Sequence, residues 1–97
     1  MDAAGSLTLG IIDGLIALAI IALAFGATAM RDLFAGVVLF IAMGLFMALA
    51  WVRLDAPDLA LAEAGIGAGL AGALLLAAVR RLAGPAHPEG IGDDEQP

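Results

Sequence analysis

The sequence has no cysteine, no tyrosine and no lysine, one tryptophan, one histidine and four basic residues, all arginine, in 97 residues. Without cysteine there are no disulfides, thiolate metal sites or cysteine nucleophiles. With only Arg31, Arg53, Arg80 and Arg81 for positive charge there is no basic patch, which argues against nucleic acid as a partner. The lone histidine, His87, sits in a Gly/Pro-rich stretch without a second ligand-type residue nearby and reads as a solvated residue. No Ser/His/Asp set and no metal cluster stands out. The glycines of "GIGAGLAG" match a dinucleotide-loop spacing by chance, because no strand precedes them. The sequence is therefore expected to bind no cofactor or metal and not to be an enzyme in its own right.

What the chain has in abundance is apolar side chain: 63% of its residues are hydrophobic. A soluble domain of this length has too little interior to bury them. They fall into three runs, about Leu7–Ala29, Leu33–Trp51 and Leu59–Val79. Each is close to the roughly 20 residues a helix needs to cross a bilayer, and helices satisfy their own backbone in lipid. The expected fold is an all-α membrane protein with three transmembrane helices in residues 1–82. A flexible acidic tail over 83–97 lacks the apolar content to fold alone. The first run has no basic residue ahead of it and is too long for a signal-peptide core, so it reads as a retained helix.

The breaks between runs carry helix-boundary signals. "MRD" at Met30–Asp32 separates the first two runs, and Asp32 suits a helix N-terminus. "RLDAPD" at Arg53–Asp58 separates the second and third. Pro57 fits a first helical turn, and Asp55 or Asp58 is placed to cap it. Trp51 stands where an interfacial aromatic is expected. Three arginines flank one side of this arrangement and one flanks the other. The expectation is an outside N-terminus, a cytoplasmic C-terminus and residence in the inner (cytoplasmic) membrane of the cell.

Two carboxylates lie within the apolar runs, Asp13 and Glu63. Counted along each run, both fall in the outer half of the membrane, roughly 9 Å and 7 Å deep. A carboxylate there is neutral, paired or facing a wet interior, and it marks an ion or proton path. The bland alternative for Asp13 is a headgroup-level position. Just after Glu63, the glycines Gly65, Gly67, Gly69 and Gly72 recur. They suit close helix packing, and they also weaken the helix beside an ionisable group, each by about 1 kcal/mol relative to alanine.

The stretches "RDLFAGVV" (Arg31–Val38) and "APDLALAEAGIGAGL" (Ala56–Leu70) resemble the MbhD-type domain. That domain is a small subunit of membrane-bound hydrogenases and recurs in the C-terminal part of the large MrpA subunit of Mrp cation/proton antiporters. The resemblance covers about residues 7–80. Its specific portion is carried by Ala56, Pro57, Asp58, Ala60, Leu61, Glu63, Ala64, Gly67, Ala68, Gly69 and Leu70. The family often has threonine before the glutamate, where this chain has Ala62, so a hydroxyl partner for Glu63 is missing.

The resemblance implies a three-helix subunit of a multi-subunit Mrp-type antiporter, related to part of the complex I membrane arm. It also implies that Glu63 takes part in Na⁺ or H⁺ movement and that the partners are other membrane subunits and the bilayer. The alternatives are a subunit of a membrane-bound hydrogenase or complex I-related pump, and a structural spacer in which Gly69→Leu would break assembly and Glu63→Gln would be silent. A ring like the proteolipid of rotary ATPases fits less well, because three spans replace two and the glutamate shares its helix with the glycines. The chain is too small to form a complete alternating-access transporter.

Overall fold

The computed structural model describes residues 2–84. His87 and the acidic tail from residue 85 onward, read above as solvated and flexible, lie outside the described residues. The described residues are helical throughout, apart from short turns: α1 (Ala3–Ala29), α2 (Leu33–Arg53) and a third span, Pro57–Ala83. The third span opens as α3 (Pro57–Ala62), widens into a π-helix over Glu63–Ala71 and closes as α4 (Gly72–Ala83). All three spans are long and apolar enough to cross a membrane.

The helices start where short polar side chains can accept free backbone N–H groups. Asp2 caps α1 by accepting from the Gly5 N–H at 2.8 Å, so this helix begins four residues before the first apolar run. Asp32 caps α2, accepting from the Phe34 N–H at 3.2 Å. The third span begins differently. Its N-cap is Ala56, with Pro57 in the first turn, and no side chain caps it. Asp58 lies in that turn and complements the helix dipole without a capping bond.

Asp55 is used for the preceding turn instead. The Ala56 N–H bonds to the Trp51 carbonyl at 2.9 Å and the Asp55 N–H to the Val52 carbonyl at 3.0 Å. This pair of bonds closes α2 in a Schellman motif. The motif requires a left-handed residue, and Asp55 supplies it at φ 62°. Glycine holds that conformation without a Cβ penalty. Asp55→Gly is therefore expected to stabilise the fold by about 1 kcal/mol, read as a higher midpoint of thermal unfolding in detergent. An unchanged or lower midpoint would mean that the carboxylate contributes more than the turn geometry costs.

Helix α2 is the middle of the fold. Helix α1 packs against one side of it and the third span against another, while α1 and the third span do not form a packed pair. Small residues set both contacts. On the α1 side, a Cβ at Gly36 would lie 3.0 Å from the Ala27 carbonyl oxygen, and one at Gly26 would lie 3.2 Å from Leu39 Cδ1. On the other side, a Cβ at Gly44 would meet Ala68 Cβ at 3.1 Å, and one at Gly72 would meet Ile41 Cγ1 at 2.6 Å. Backbones in hydrocarbon approach this closely only at such residues. Among the described residues the buried apolar side chains are few and small (Val37, Ala60 and Ala68), whereas Leu7, Phe25, Leu61, Ile66 and Leu82 are among many large ones left exposed. A chain with so little interior leaves its apolar surface to lipid or to neighbouring subunits.

Candidate functional site

The π-helical segment begins at Glu63 itself. In a π-helix each N–H bonds five residues back, so the turn is wider and downstream side chains are rotated relative to an α-helix. Gly65, Gly67 and Gly69 all lie within it. Their lack of side chains lowers α-helical stability there.

Each of these glycines has different surroundings. Gly65 has open space where a Cβ would stand. Gly69 faces the Ala64 carbonyl of its own helix at 3.0 Å. At Gly67 a Cβ would collide with Glu63 Oε1. Gly72 alone among the four sequence-predicted glycines meets another helix closely, through Ile41.

The Gly67 contact defines where Glu63 points. Helical side chains tilt toward the N-terminus of their own helix. An acid near a membrane boundary ordinarily follows that tilt outward to water. Glu63 instead folds one turn toward the C-terminal end, over Gly67, into the space the missing Cβ leaves. It lies six residues past Pro57, about 9 Å along the helix, and its carboxylate is directed further inward. The residue is half-buried at the edge of the face that packs on α2. Counting back from the Ala68–Gly44 contact places it level with Leu49 and Ala50 of α2. Among the described residues the Glu63 side chain has no hydrogen-bond or ion-pair partner.

Asp13 occupies a different place. Its Oδ1 accepts a hydrogen bond from Arg53 Nε at 2.6 Å, an ion pair joining α1 to the last residue of α2. Asp13 is level with the end of α2, and the first ten residues of α1 reach beyond it by roughly 15 Å. Helix α2 separates Asp13 from Glu63, so the two acids do not form one site. A cavity of about 290 Å³ opens between α1 and α2 at the ion pair, lined by Asp13, Ile16, Ala17, Ala50, Arg53 and Leu54. Among the described residues no group of three or more His, Cys, Asp or Glu side chains is placed to hold a metal ion.

Sequence reasoning missed Arg53 as the partner of Asp13, and Gly36 and Gly44 as contact residues. The first was available from topology, since in an up-and-down arrangement the start of α1 and the end of α2 share one side. The other two were hidden, because glycine in an apolar run marks no particular face by itself.

A family model described as MbhD, a subunit of MBH, matches residues 18–84. The match includes Arg53, Glu63 and the whole π-helical segment, and it begins after Asp13. Comparisons with curated proteins and with solved structures gave no match. The family match runs over both helix–helix contacts and the glutamate that the π-helix carries, and on that match the chain belongs to the MbhD family, as a multi-pass subunit of a multi-subunit membrane complex of the Mbh/Mrp-like kind.

Proposed function

We propose that the chain is a transport subunit of an Mrp-type monovalent cation (Na⁺)/proton antiporter and that Glu63 is its ion- or proton-carrying group. The observation that carries this reading is the direction of the Glu63 side chain, folded inward over Gly67 and unpartnered among the described residues. A carboxylate in that position faces water, a cation or a neighbouring subunit's polar group in the assembled complex.

The π-helix supplies a means of moving it. Shifting one residue between π and α geometry turns one end of the helix by about 100° relative to the other. That rotation carries Glu63 from one side of the packing edge to the other. Gly65, Gly67 and Gly69 keep the two forms close in energy, because glycine contributes little to either. The excess of arginine at the α1–α2 turn and at the end of α4 supports an outside N-terminus in the cytoplasmic membrane, with Glu63 opening first to the outside.

The description of the matched family favours one second reading, a redox-driven complex in which the same helices couple electron transfer to ion pumping. The two separate on the company the chain keeps. Gentle detergent purification of the native complex through a C-terminal tag is expected to bring large antiporter-like subunits and no redox proteins. Co-purifying hydrogenase or quinone-oxidoreductase subunits would replace the antiporter reading with the redox one. Recovery of the chain alone would overturn both.

A further inference from the structure

The α1–α2 cavity has a chemistry that the transport role does not use. We infer that it is a binding site for one zwitterionic phospholipid whose headgroup ends in a primary ammonium, of the phosphatidylethanolamine class.

Three observations place an amphiphile there. First, the walls separate by polarity: Ile16, Ala17, Ala50 and Leu54 offer apolar surface, and Asp13 and Arg53 supply the charge. Second, the charged end is level with the last residue of α2 and the turn that follows, and a helix end is where a bilayer's headgroups are met. The apolar part continues inward to Ile16 and Ala50, in the direction an acyl chain runs. Third, both charged groups have unused capacity. The ion pair engages only Asp13 Oδ1 and Arg53 Nε. The second carboxylate oxygen and the terminal guanidinium nitrogens make no hydrogen bond among the described residues. The pair is also accessible, with side chains 53% and 33% exposed.

Charge complementarity selects the headgroup. Arg53 offers free N–H donors to a phosphate. Asp13 offers a free acceptor beside it, which a primary ammonium two carbons from that phosphate can reach. Asp55, close enough to Arg53 to interact with it, leaves the site with an excess of negative charge. An anionic headgroup such as phosphatidylglycerol is disfavoured by that excess. A choline headgroup has the right charges, but its quaternary nitrogen has no N–H to donate to Asp13. Glu63 lies on the far side of α2, so lipid binding here is independent of the transport role.

The test uses the full chain in its purified complex, with benzoylphenylalanine in place of Leu54 at the mouth of the cavity. The complex is reconstituted into vesicles of equal parts dioleoyl phosphatidylethanolamine, phosphatidylcholine and phosphatidylglycerol, irradiated, and the adducts are weighed by mass spectrometry. The ethanolamine adduct is expected to exceed the choline adduct roughly two- to fivefold, the range of one exposed charge-pair contact. Asp13→Asn, nearly isosteric and still able to accept from Arg53, is expected to bring that ratio to about one. Asp13→Glu is expected to restore part of it. Equal adducts in the unsubstituted site would overturn the inference, and so would a preference that survives Asp13→Asn. A protein adduct in place of lipid would overturn it too, by assigning the cavity to a neighbouring subunit.

Discussion

Glu63→Gln is expected to lower cation-dependent proton exchange of the reconstituted complex by roughly a hundredfold, the scale of losing a positioned proton-transferring group, while the complex assembles in normal amount. Glutamine preserves the shape of the side chain and its fit over Gly67, so packing is unchanged. What it loses is the ability to bind and release a proton or to neutralise a cation. The measurement is dequenching of a pH-sensitive dye on adding Na⁺ to energised vesicles, with subunit content checked on the same membranes. Normal exchange by Glu63→Gln would remove the glutamate from the ion path and leave a structural spacer.

A companion substitution separates the carboxylate from its position. In Gly67→Ala the new Cβ occupies the place of Glu63 Oε1, so the charge is kept and displaced. An intermediate rate is expected from it, because the flexible end of Glu63 can move aside. A Gly67→Ala variant as inactive as Glu63→Gln would show that the inward pose itself is required.

Much of this arrangement is legible in the residues, for reasons that differ from element to element. The three spans follow from run length against bilayer thickness, and "MRD" and "RLDAPD" mark both turns because charge and proline cannot continue an apolar helix. Helix α1 begins earlier than its apolar run, at Ala3, because Asp2 caps it and backbone bonding extends through small residues such as Gly5 and Ser6. The third span runs on to Ala83, past Val79, because Arg80 and Arg81 are as good helix formers as apolar residues and favour its C-terminal end.

The weak helix after Glu63 shows in its alternating glycines. Whether such a segment kinks, frays or widens into a π-helix depends on what packs against it, here α2 through Gly44 and Ile41. The separation of Asp13 from Glu63 is likewise tertiary. Two acids on the same side of the membrane can share a site only if their helices touch, and α2 lies between them.

The other large effect is expected at Gly72. Its missing Cβ is the closest helix–helix approach found at any described glycine, 2.6 Å from Ile41 Cγ1 and 2.8 Å from Cδ1. Gly72→Ala is expected to destabilise the α2–third span contact by about 1–3 kcal/mol, the usual range for inserting a methyl group into a filled space. Gly72→Leu exceeds what rotation of Ile41 can absorb and is expected to abolish recovery of the chain with its complex. By contrast, a Cβ at Gly69 approaches only its own helix, 3.0 Å from the Ala64 carbonyl oxygen, and Gly65 faces open space. Gly65→Ala and Gly69→Ala are therefore expected to leave recovery of the chain with its complex unchanged.

The decisive comparison is a pair of reciprocal changes. Ile41→Ala opens a void beside Gly72, and Gly72→Ala fills the same space from the other side. If the contact is what Gly72 serves, the double variant Ile41→Ala/Gly72→Ala regains stability that each single variant loses, giving a coupling energy of about 0.5–3 kcal/mol. Thermal unfolding of the four purified forms measures it. Strict additivity would mean that Gly72 is needed for the bending of its own helix at the end of the π segment, and that the third span is held in place by something other than its fit against α2.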